Sequence, residues 1–105
     1  MNLLSLERRE DAGATVLAVA GELDVAGGGQ VREAMEEAGR ERAAQLTLDL
    51  RDVSFLDSSG LAAVLHGART LRALGTALQT RSPHGSEARL VIEMAGVGGI
   101  LGLQE

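Results

Sequence analysis

Leu46-Thr47-Leu48-Asp49-Leu50-Arg51-Asp52-Val53-Ser54-Phe55-Leu56-Asp57-Ser58-Ser59-Gly60-Leu61 is the stretch that decides the fold. Residues 45–50 alternate polar with apolar, the period of a strand whose successive side chains point to opposite faces. Past Leu50 the alternation lapses, so residues 51–56 read as the exit loop of that strand. After Asp57-Ser58-Ser59-Gly60 the period changes. Leu61, Val64, Leu65, Ala68 and Leu71 recur at helical spacing, while His66, Arg69 and Thr70 face away. Gly75 is placed to stop that helix. A strand that feeds an amphipathic helix through a short polar turn is half of a crossover unit, and crossovers imply parallel strands.

The same two periods extend outward in both directions. Val31, Ala34, Met35 and Ala38 form a second helical stripe, with Arg32, Glu33, Glu36, Glu37 and Arg40 opposite it and Gly39 near its end. Val25-Ala26-Gly27-Gly28-Gly29 reads as a flexible lead into that helix. Residues 15–20 read as a buried strand and residues 3–9 as an edge strand, joined into a hairpin by Asp11-Ala12-Gly13. Downstream, residues 77–80 read as a short fourth strand and Ser82-Pro83-His84-Gly85 as a turn. Ala88, Val91, Ile92 and Ala95 form a third helical stripe ended by Gly96, and residues 100–103 read as a last short strand. The expected fold is therefore α/β: one domain over residues 1–105, with a single mixed, mostly parallel sheet of four to five strands and about three helices. Partners of such a sheet meet the loops at the carboxyl ends of its strands. Here those are residues 21–29, 51–60 and 81–86.

Composition removes several kinds of chemistry. The 105 residues are 45% apolar and include one aromatic, Phe55, so the core must be aliphatic and no ring platform exists for stacking bases. The net charge of −5 disfavours a phosphate backbone, and no nucleic-acid partner is expected. There is no Cys, hence no disulfide, thiolate ligand or Cys nucleophile. All ten basic residues are Arg, which removes Schiff-base chemistry and any lysine-dependent phosphate site. No apolar run approaches the roughly 18 residues needed to span a bilayer. The first residues lack the basic and apolar regions of a signal peptide. The expectation is a cytoplasmic protein with no direct membrane insertion and no cofactor.

The Asp57–Gly60 turn is where chemistry concentrates. Asp and Ser are preferred helix caps, because their oxygens accept the orphan N–H groups of a first turn. The same position also suits phosphorylation. A helix N-terminus carries partial positive charge and free donors, so a phosphate there is tolerated while it changes what docks. Periodicity alone does not choose between Ser58 and Ser59. A serine hydrolase fits poorly: Ser58 is not in a G-x-S-x-G elbow, and His66 lies about 12 Å along the helix from it. A phosphoacceptor-aspartate receiver among Asp49, Asp52 and Asp57 lacks its lysine. Two distant His with scattered carboxylates give no metal spacing. Gly27-Gly28-Gly29 lacks the spacing of a nucleotide-binding loop.

Gly21-Glu22-Leu23-Asp24, the stretch from Leu46 to Leu61, and Met94-Ala95-Gly96-Val97 together resemble the STAS-domain anti-sigma-factor antagonists over nearly the whole chain. The resemblance implies a non-enzymatic switch. Its partners would be an anti-sigma factor with a histidine-kinase-like ATP fold, acting as a serine kinase, and a metal-dependent serine phosphatase. The phosphorylated residue would be Ser58, directly after Asp57. The docking surface would comprise Glu22, Asp24, Asp57, Ser58, Ser59 and Gly60. The resemblance also brings a second role into view, that of a STAS adaptor subunit in a membrane transport complex such as a lipid-transport ATPase. Against the family pattern, Gly27-Gly28-Gly29 is a looser helix start, and a final C-terminal helix is expected to be missing.

Overall fold

The computed structural model describes residues 4–105. The chain runs β1 (Ser5–Asp11), β2 (Ala14–Leu23), α1 (Val25–Arg40), β3 (Gln45–Leu56), α2 (Ser58–Leu74), β4 (Ala77–Arg81), α3 (Glu87–Ala95) and α4 (Gly98–Leu101). The four strands form one sheet in the order β1-β2-β3-β4. Ala12 and Gly13, at φ of 51° and 83°, make the two-residue hairpin turn whose twist matches its flanking strands, so β1 pairs β2 antiparallel. Helical crossovers make β2–β3 and β3–β4 parallel. The mixed, mostly parallel sheet expected from the sequence is the one observed.

Leu17 pairs in register with Leu48, and Leu23 with Leu56, so these four side chains share one face. They join Val31, Met35, Val64 and Leu71 in a single aliphatic core, all of it almost fully buried. β3 is covered on both faces, because Thr47 and Asp49 are buried as well as Leu46, Leu48 and Leu50. α3 packs on β3. Asp49 tolerates this burial because Arg51 grips it with two prongs, Nε to Oδ1 at 3.0 Å and Nη2 to Oδ2 at 2.7 Å. Burial pushes the Asp49 carboxyl up, but the Arg51 bonds outweigh it and hold the group below the usual aspartate range.

Several boundaries differ from the sequence reading. β3 does not stop at Leu50: residues 51–56 continue it to Leu56 instead of forming a loop. α1 begins at Val25 and not at Val31, so the three glycines are helical. A Cβ on Gly28 would lie 3.0 Å from both the Gly60 Cα and the Ala63 Cβ, so the glycine lets the starts of α1 and α2 touch. The expected fifth strand at residues 100–103 is the short helix α4 followed by one bridge, Leu103 to Thr80. That makes four strands and four helices among the described residues. Ala95 is exposed, and the buried polar residue of α3 is Arg89. Its Nη1 donates to the carbonyls of Ser82 and Gln104, both at 2.8 Å. Leu3, read as the start of the first strand, lies outside the described residues.

Candidate functional site

Strand register assembles the candidate site. Leu23 and Leu56 are paired neighbours, so the residues that follow them, Asp24 and Asp57, leave adjacent parallel strands side by side. Asp57 N–H donates to the Leu23 carbonyl at 3.3 Å, which ties the start of α2 to the end of β2. Both aspartates cap helices. Asp24 Oδ1 accepts from Gly27 N–H at 2.9 Å, and Asp57 Oδ1 accepts from Gly60 N–H at 2.8 Å. The two local sequences match: Leu23-Asp24-Val25-Ala26-Gly27 and Leu56-Asp57-Ser58-Ser59-Gly60. The correspondence spans only five residues, too short to read as a repeat in the sequence.

Six sequence-selected residues thus meet at the carboxyl ends of β2 and β3. Glu22 is half-buried on β2 and pairs in register with Phe55. Asp24 and Asp57 are half-buried caps. Ser58 and Ser59 are the first two residues of α2 and both are exposed. Gly60 is buried: a Cβ there would run into the Leu23 carbonyl oxygen. The close approach it permits is therefore that of α2 to β2.

The first turn of α2 has donors to spare. Gly60 N–H is taken by the Asp57 carboxylate and Leu61 N–H by the Asp57 carbonyl, at 2.9 Å. Among the described residues no acceptor meets the N–H of Ser58 or Ser59. With the helix dipole, these free donors favour an anion at this point, against the like charge of the neighbouring Asp24 and Asp57 carboxylates. Sequence reasoning missed two apolar side chains beside it. Val25 is 73% exposed at the start of α1, and Phe55 is 38% exposed on β3. The sequence reading puts Val25 in the flexible lead to the helix, whereas it is the first residue of α1. The only available signal was an apolar residue directly after a capping Asp.

His66 does not approach Ser58. It sits further along α2, facing α1, where Arg32 Nη2 donates to its Nε2 at 3.2 Å. Arg32 and Thr70 also donate to Glu36, both at 3.1 Å, so a polar seam fastens α1 to α2. Burial works to raise the Glu36 carboxyl, but the hydrogen bonds from Arg32 and Thr70 hold it below the usual glutamate range. No cluster of three or more metal-ligating side chains occurs among the described residues. No helix among them is long and apolar enough to cross a membrane.

The sequence model of one family, described as Mlab, STAS domain, matches residues 6–104. No curated protein matches the chain at a significant level. Among solved structures, an anti-sigma factor antagonist from Mycobacterium paratuberculosis superposes with a TM-score of 0.81 at 22% identity, over 96% of this chain and 85% of that one. The Bacillus cell fate determinant SpoIIAA in its phosphorylated form gives 0.67 at 25% identity, over 96% and 92%. The murine anion transporter Slc26a9 gives 0.73 at 21% identity, over 90% of this chain and 16% of that one.

Proposed function

The chain belongs to the STAS-domain family, and from that premise we propose that it is an anti-sigma-factor antagonist switched by phosphorylation of Ser58. Unmodified, it binds a cytoplasmic anti-sigma factor and so frees a sigma factor. That partner is also a serine kinase with a histidine-kinase-like ATP fold. It transfers the γ-phosphoryl group of ATP to Ser58 Oγ, with ADP as leaving group and loss of the hydroxyl proton. A metal-dependent serine phosphatase hydrolyses the ester and resets the switch. The chain itself catalyses nothing.

One observation carries the reading. Ser58 presents an exposed hydroxyl at the first position of α2, beside donors without protein acceptors, and the flanking elements α1 and β3 carry the exposed apolar residues Val25 and Phe55. Phosphate there adds close to two negative charges without breaking the cap, which uses Asp57 and Gly60. Glu22, Asp24, Asp57 and Ser59 complete the docking surface, and buried Gly60 seats α2 against β2 beneath it. Asp57 fixes the acceptor's position, and Ser59 shapes the site beside it.

A second reading, a STAS adaptor in a membrane transport complex, is favoured by the fold match within the Slc26a9 transporter. Affinity purification from the native host, with wild type and Ser58→Asp as baits, separates the two. The switch predicts an ATP-binding anti-sigma kinase on wild type and much less on Ser58→Asp. A transport ATPase recovered equally by both supports the adaptor. With the purified kinase, Ser58→Ala should still bind yet take up no phosphate. Normal phosphate incorporation into Ser58→Ala refutes the acceptor, and equal affinity of Ser58→Asp refutes the switching.

A further inference from the structure

The opposite end of α2 holds a cleft of about 490 Å³ that the switch does not use. It lies roughly 17–21 Å along the helix from Ser58, at 1.5 Å per residue. Ala68, Leu78 and Ile100 give it an apolar lining, and Arg69 and Arg72 stand at its side. Three positions apart on one helix, the two arginines share a face. Neither has an ion-pair partner among the described residues, and no carboxylate lines the cleft. In a chain of net charge −5, this is a place where two cations are left without acceptors.

The neighbouring edge of β4 argues for a compact occupant. Thr80 N–H donates to the Gly102 carbonyl at 3.0 Å, and its carbonyl accepts from Gln104 N–H at 2.9 Å. The chain's own tail thus occupies the outer edge of β4 at Thr80, and an extended peptide is left only the short stretch before it to pair with. The volume falls within the usual range for small-molecule sites, about 300–1,000 Å³.

We propose that this cleft binds a compact anionic amphiphile, with a carboxylate held by Arg69 and Arg72 and a short apolar body against Ala68, Leu78 and Ile100. Guanidinium groups suit a carboxylate because their planar donors can meet both of its oxygens. The apolar lining adds the area burial that an inorganic anion lacks. The assignment is independent of the Ser58 switch.

The test titrates the full ¹⁵N-labelled chain with octanoate, below its micelle-forming concentration, and follows amide shifts. Saturable shifts confined to residues 68–78 and 99–102 are expected. Arg69→Glu combined with Arg72→Glu should weaken binding at least tenfold. Gly99→Leu offers a second variant, because a Cβ at that position starts in open space. It keeps both arginines and should also weaken binding by narrowing the cleft. Absent or diffuse shifts overturn the proposal, as does an affinity that neither variant changes. Equal response to inorganic phosphate or to 1-octanol overturns the amphiphile assignment, because one probe lacks the apolar body and the other the charge.

Discussion

Replacing Gly60 by Ala should destabilise this domain more than any other single methyl addition near the site. The new Cβ would overlap the Leu23 carbonyl oxygen, sit 2.6 Å from that carbonyl's carbon, and lie 3.3 Å from the Leu23 Cβ. Ordinary carbon contacts are about 3.5 Å, so the start of α2 must retreat by more than ~1 Å. That retreat strains the Asp57 N–H bond to the same carbonyl and opens the contact between Gly28 and Gly60. Overpacking costs about 1–3 kcal/mol, and a buried carbonyl left without its partner costs about 1–3 more. The sum, about 2–6 kcal/mol, is a large share of the roughly 5–15 kcal/mol that holds a domain of this size together. The chain has no Trp or Tyr, so the assay is urea unfolding followed by far-ultraviolet circular dichroism. Gly29→Ala is the control. Gly29 is helical, and a Cβ there meets nothing within 4 Å, so the change should stabilise by about 0.5–1 kcal/mol. A loss under about 1 kcal/mol for Gly60→Ala, or no difference between the two variants, would refute the tight seat of α2 on β2.

The caps and the buried carboxylates give two further expectations. Asp24→Ala and Asp57→Ala should each cost about 1 kcal/mol in urea unfolding, whereas Asp57→Asn keeps the cap and most of the stability. An equal loss for Asn and Ala at residue 57 would show that the bond to Gly60 N–H is not what the aspartate contributes. Asp49 has its folded pKa lowered below its unfolded value, so its contribution is complete above about pH 5 and disappears as the pH falls through and below about 4. Asp49→Asn should therefore lower the urea midpoint at pH 7 while shrinking the drop between pH 7 and pH 3. An unchanged drop would mean that Asp49 does not contribute to acid unfolding.

What the sequence made legible was wherever one period governed. The stripes Leu61-Val64-Ala68-Leu71 and Val31-Met35-Ala38 are buried as their spacing requires, and Gly75 and Gly96 end their helices at φ of 84° and 72°. The far half of β3 was illegible because its pairing with β2 slips at two places, between Ala18 and Ala20 and between Gly21 and Glu22. With those irregularities, Val53 and Leu56 are buried while Arg51, Asp52, Ser54 and Phe55 are exposed, a spacing of three that matches no strand template. The glycines of α1 misled for a different reason. Local propensity marks them as loop, but close approach demands two of them, Gly27 against β2 and Gly28 against α2, and that demand exists only in three dimensions. Residues 100–103 are too short an apolar run for periodicity to separate strand from helix. Arg89 reads as surface from its charge, yet its stem is buried and its guanidinium is satisfied by carbonyls distant in sequence.

The candidate site was legible as a turn but not as one of a pair, and the pair decides how Ser58 is understood. In each copy the Leu is buried, the Asp caps, and the Gly lies against a β2 carbonyl: Gly27 against Glu22, with a Cβ at 2.5 Å, and Gly60 against Leu23. These three positions are set by the join between strand and helix. The two between them are exposed in both copies, and the fold accepts Val25-Ala26 in one and Ser58-Ser59 in the other. Capping therefore accounts for Asp57 and Gly60 and leaves the hydroxyls unexplained, because the first copy makes the same cap without any. A serine at an exposed helix start, where the same frame elsewhere carries valine, is not required by the cap. That contrast removes the cap as an explanation of Ser58 and Ser59 and leaves both hydroxyls open to the proposed switch.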